Sequence, residues 1–169
     1  MHARFRCGRL LILLAAAVLL AAGGVSCNRR QPSWEELNDA AVKALSAGRS
    51  VEAERHLLAA LELARRDENE AHRLPLSLHR LARFYEARQR YVQAAEMYAE
   101  ALEVDSKRLK ADDPALYDTV KRLAAMRETT EQVTEAKEVY KRFLVMQEAQ
   151  LGHDALPIAG TLVQIGRLA

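Results

Sequence analysis

The chain has 169 residues, half of them hydrophobic but only 5% aromatic, and a formal net charge of +2. Alanine, leucine, glutamate and arginine dominate, which favours helix, and no alternating valine- or isoleucine-rich run signals a strand. The composition excludes a sheet-built fold, and so small a charge gives no support to a general nucleic-acid role.

Residues 1–26 are read as a leader rather than as part of the fold. Arg4, Arg6 and Arg9 precede an uninterrupted apolar run from Leu10 to Ala22, and small residues lead into Gly24-Val25-Ser26-Cys27. That is the layout of a bacterial secretion signal. The run is shorter than the roughly 20 residues a spanning helix needs, so a permanent anchor is the lesser alternative. Cys27 with Val25 and Ser26 resembles the lipobox of bacterial lipoproteins, although Gly24 stands where leucine is usual. The resemblance implies a diacylglyceryl thioether on Cys27 and an acylated new N-terminus. Two or three chains, at about 0.8 kcal/mol per buried methylene, would hold the protein on a membrane durably. The other reading is an ordinary signal with an incidental cysteine. Cys7 would leave with the leader, so no disulfide or cysteine-ligated metal is expected. Losing the three arginines takes the basic count from 25 to 22 against 23 acids. Residues 27–32 form the lipidated cysteine and a tether reaching only about 20 Å. Asn28, lacking the aspartate that retains enterobacterial lipoproteins at the inner membrane, points to the outer membrane.

Residues 33–169 read as helices. Ser33 and Glu36 form a capping box for a helix from Trp34 to Ala47, ended by Gly48. Ser50 is expected to cap a second helix reaching Arg66. Trp34, at the solvent end, is read as an end cap on this first hairpin, with a membrane-interface anchor as the alternative. Pro75–Arg88 and Tyr91–Leu109 follow; Asp113-Pro114 then opens Ala115–Glu128, paired with Thr130–Leu151. Ile158–Ala169 supplies a last helix.

These helices repeat. Ala94, Tyr98 and Ala101 share one helical face; Ala53, Leu57 and Ala60 lie 41 residues earlier with the same gaps, and Ala136, Tyr140 and Phe143 lie 42 later. First helices read large, large, small at Leu78-Leu81-Ala82 and Val120-Leu123-Ala124, and in related form at Leu37-Ala40-Ala41 and Leu162-Ile165-Gly166. A fixed period of this size means stacked hairpins, because one hairpin cannot bury its apolar face alone. Ala53, Ala60, Ala82, Ala94, Tyr98, Ala101, Ala124, Ala136 and Tyr140 are the expected packing residues. The predicted class is an all-α, right-handed solenoid of antiparallel hairpins, three repeats plus a final single helix.

The repeats resemble tetratricopeptide repeats, in particular the kinesin-light-chain subtype of about 42 residues. The connectors Leu109-Lys110-Ala111-Asp112-Asp113-Pro114 and Leu151-Gly152-His153-Asp154 resemble its linker, and Leu78-His79-Arg80-Leu81-Ala82 stands where it usually has Leu-Asn-Asn-Leu-Ala. His79 and Lys121 replace asparagines that in the family often hold a bound peptide, Arg127 stands where Tyr85 stands one repeat earlier, and Gln89 and Glu131 stand at the turn position of Gly48. The third unit is therefore expected to be the least regular.

No catalytic constellation is present in the sequence. The histidines after the leader lack metal-ligand spacing, and Glu35/Glu36 and Asp112/Asp113 sit at helix starts, where acids favour the helix dipole. No cofactor, metal or enzymatic activity is expected. By the resemblance, the inward-facing positions are Asn38, Val42 and Leu45, then His79, Arg83 and Glu86, then Lys121, Ala125 and Glu128. Such a curved face suits an extended peptide or a partner helix, and a second copy of the chain is a further candidate. The expected role is a lipid-anchored, periplasm-facing scaffold in envelope complex assembly; the alternative is a regulatory or targeting subunit of an envelope enzyme.

Overall fold

The structure, a computed structural model, describes residues 30–67 and 70–169; the leader and Cys27 lie outside them. Pro32–Ala169 forms one compact unit. Among the described residues there are seven helices and no strand: α1 Trp34–Ser46, α2 Ser50–Arg66, α3 Arg73–Glu86, α4 Tyr91–Arg108, α5 Pro114–Thr129, α6 Val133–Leu151 and α7 Leu156–Arg167. Each packs on the helices before and after it in sequence. The result is three hairpins, α1–α2, α3–α4 and α5–α6, with α7 alone at the end.

Local chemistry sets the ends. The Ser33 hydroxyl accepts from the Glu36 amide at 3.2 Å while the Glu36 carboxylate accepts from the Ser33 amide at 2.7 Å, so two of the free first-turn donors are satisfied reciprocally. At α5, Asp113 accepts from the Ala115 amide at 2.8 Å with Pro114 as the first helical residue.

The hairpin turns are one device used three times. The amides of Arg49, Arg90 and Gln132 reach back to the carbonyls of Ala44, Tyr85 and Arg127 at 2.8, 3.0 and 2.8 Å. This six-to-one closure requires a left-handed residue just before the donor. Gly48 supplies it at φ 72°, and Gln89 and Glu131 adopt it at 59° and 63°. Two expectations fail here because the turn is so tight. Ser50 is already the first helical residue and caps nothing; its hydroxyl accepts from Arg88 Nη2 at 2.6 Å. Likewise α6 starts at Val133 rather than Thr130, since Glu131 is spent in the turn.

Between the hairpins, small residues let backbones approach. Ala53, Ala82, Ala94, Tyr98, Ala101, Ala124 and Ala136 are completely buried, and Ala60 and Tyr140 nearly so. Trp34 caps more than the first hairpin. It is buried against α3 of the second, where its indole N–H donates to Ser77 Oγ at 2.8 Å. The guanidinium groups of Arg73 and Arg80 lie 5.7 and 5.3 Å from its ring. At the other end, α7 buries Ile158 and Thr161 and leaves Leu156, Leu162 and Val163 at least half exposed.

Candidate docking surfaces

The side chains expected on the inner face fall into two groups. Val42, at 63% exposure, Leu45, Arg83, Lys121 and Ala125 are exposed along α1, α3 and α5. Asn38 is not: it is 4% exposed, with its amide donating to the Trp34 carbonyl at 2.7 Å. It belongs to the interior of the stack and not to the open face. Its place on the expected face is thereby corrected.

His79, Glu86 and Glu128 are half-buried and already engaged. His79 Nε2 lies 2.8 Å from Asp105 Oδ2, and Arg108 donates to the other oxygen at 3.1 Å. Burial pushes the Asp105 carboxyl up, but the hydrogen bonds from His79 and Arg108 outweigh it and hold the group below its ordinary value. Glu86 accepts from Tyr98 Oη at 2.7 Å and from Arg122 of the next hairpin at 3.2 Å. Burial and that bond to Glu86 raise the Tyr98 phenol well above its usual range. Glu128, one unit on, likewise reaches the next element, meeting both terminal nitrogens of Arg167 at 2.8 Å. These glutamates therefore tie one repeat to the next. Side chains that can retain peptide backbones on an open face are here used within the stack.

Sequence reasoning missed the partners Asp105, Arg122 and Gln147. The last is 1% exposed and accepts from the Thr161 hydroxyl at 2.7 Å, tying α6 to α7. Their spacing carried a usable signal, since Asp105 and Gln147 lie 42 residues apart at a position where the first unit has Ala64. A second concavity also went unforeseen. A cavity of about 640 Å³ opens between α4 and α6 with α5 beneath it, floored by Leu102, Leu123, Val139, Phe143 and Met146. Among the described residues, no group of three or more His, Cys, Asp and Glu side chains could hold a metal. No helix among them is long and apolar enough to cross a membrane.

This geometry is that of the tetratricopeptide-like solenoids. The chain is similar to the crystal structure of a kinesin light chain-like protein of Podosopora anserina with nearly identical TPR-like repeats. The match has TM-score 0.64 and 22% identity, covering 93% of this chain and 74% of that one. A single-substitution form of that protein matches at TM-score 0.62, again with 22% identity and the same coverage of both chains. BtubC (BKLC) from P. vanneervenii matches at TM-score 0.54 and 21% identity, over 79% of this chain and 53% of that one. No protein-family model matches the chain, and no curated protein matches it. At this identity the likeness establishes the fold.

Proposed function

We propose that the chain is a lipid-anchored scaffold of the bacterial cell envelope that holds other proteins against its array of first helices. The observation that carries the reading is the row of exposed side chains on successive first helices, Val42 and Leu45, then Arg83, then Lys121 and Ala125. Their regular spacing offers an extended segment or a helix several contacts from one rigid frame. The anchor rests on the leader and Cys27, which favour acylation and a periplasm-facing position at the outer membrane.

Two measurements test the two halves. Metabolic labelling with a palmitate analogue should mark the full chain, and Cys27→Ser should lose both the label and sedimentation with membranes; equal labelling of the variant would refute the anchor. A partner co-purified with the full chain from crosslinked membranes should be lost on combining Arg83→Glu with Lys121→Glu. Unchanged recovery of the same partner would refute the face.

A further inference from the structure

We propose that the groove between α4 and α6 is a second docking site, for an amphipathic peptide helix that inserts an aromatic or leucine side chain and carries lysine or arginine beside it. The proposal rests on an internal comparison that the repeat makes possible. The equivalent groove between α2 and α4 is bridged and filled. There Tyr85 is 6% exposed, its hydroxyl donates to Glu54 at 3.0 Å, and Arg90 lies over its ring at 4.4 Å. Arg65 of α2 reaches Glu100 of α4 across the same groove at 2.7 Å.

One repeat later each of these parts has changed. Arg127 stands at the place of Tyr85, Ala95 at that of Glu54, Gln132 at that of Arg90, Ser106 at that of Arg65 and Arg142 at that of Glu100. No ring stands at the place of Tyr85, although Phe143, at the place of Ala101, adds one to the floor, and no ion pair joins α4 to α6 among the described residues. Arg127 turns to the edge, where its guanidinium donates to the Glu135 carbonyl at 3.5 Å. What remains is a cavity with an apolar floor, open where an aromatic side chain sits in its neighbour.

The charge around the floor selects the occupant. Four carboxylates line the groove, Glu100 and Glu103 on α4 and Glu135 and Glu138 on α6, against the two guanidinium groups of Arg127 and Arg142. Glu100 and Glu138 are met from outside by Arg65 and Lys141, while Glu103 and Glu135 have no cation within ion-pair distance among the described residues. The charged side chains on the α4 wall, Glu100 and Glu103, are both acidic, and the two arginines lie on α5 and α6. A helix whose apolar edge enters the groove would gain by placing basic side chains towards that wall, and an acidic one would be repelled.

The test uses the full chain in lipid nanodiscs with isotope-labelled methionine methyl groups. Met146 lines this groove, and Met97 occupies on α4 the place that Val139 holds on α6, so the second methionine is an internal control. Three probe peptides are titrated: a helical one with leucine and phenylalanine along one edge flanked by lysines, its lysine-to-glutamate counterpart, and a counterpart with alanine along the edge. The first should shift the Met146 methyl saturably and leave Met97 unmoved. The other two should bind at least about tenfold more weakly. Arg127→Tyr, which restores the filled arrangement, should abolish the Met146 shift while leaving the melting temperature unchanged or raised. Equal binding by the acidic peptide, equal shifts at Met97, undiminished binding to Arg127→Tyr, absence of binding, or a Met146 shift that follows lipid composition would each overturn the proposal. Because the readout sits on α6, its failure leaves the reading of the first-helix face standing.

Discussion

A carboxylate that is 3% exposed needs compensation, and Asp105 finds it in His79 and Arg108. Hydrogen bonds to charged groups contribute more than neutral ones, so Asp105→Asn should lower the unfolding free energy by about 2 kcal/mol, read from urea titration. The pH dependence has a definite sign. The folded carboxyl titrates below its unfolded counterpart, so its stabilisation is complete above the unfolded value and is lost as the pH falls through the folded one. Asp105→Asn should therefore flatten the acid limb of a stability profile, and an unchanged limb would show the contribution to be absent. The 42-residue spacing of Asp105 and Gln147 was the sequence trace of a shared position, but not of its burial. Helical periodicity identifies the side of a helix on which Asp105 lies, but not how deeply the neighbouring hairpin covers it. His79 and Asn38 looked like open surface for the same reason.

The turns between paired helices were largely legible, because closure of a helix by a left-handed residue is a local event. Gln89 and Glu131 take the backbone of Gly48 against their own preference, at a cost of about 1–2 kcal/mol for an L-residue. Gln89→Gly and Glu131→Gly should each stabilise the domain by about 1 kcal/mol, after allowing for the added freedom of the unfolded chain. Gly48→Ala, with the same φ to satisfy, should destabilise it by a similar amount. Chemical denaturation checks all three; a loss of stability on introducing glycine would mean the turn stores no strain. What the sequence could not show was the consequence for the following helix. A turn this short leaves no room for a cap, so Ser50 is turned towards Arg88 and α6 starts late.

At the scale of the whole molecule, stability is a sum of hairpins and the contacts between neighbours. Completely buried alanines set those contacts, so Ala94→Leu should cost about 1–3 kcal/mol by overpacking, again from urea titration. The final helix is held by Arg167 on Glu128 and by Thr161 on Gln147. Arg167→Ala should speed hydrogen exchange in α7 with little change in α1 to α4; uniform acceleration would mean the domain opens as a single unit. The repeat itself was visible from its 41- and 42-residue spacing. The groove beside α6 was not, although the replacement of Tyr85 by Arg127 one repeat on was its sequence trace. A missing side chain becomes a cavity only when the surrounding helices do not close over it.

Photo-crosslinking residues placed singly at Val42, Arg83 and Lys121 in the full chain, in living cells, test the scaffold reading most directly. Val51 and Leu58, exposed on α2, serve as controls. The account predicts that the three first-helix positions capture one defined protein, that the controls do not, and that Cys27→Ser removes the adduct. Adducts formed equally from the controls, or none from the first helices, would contradict it.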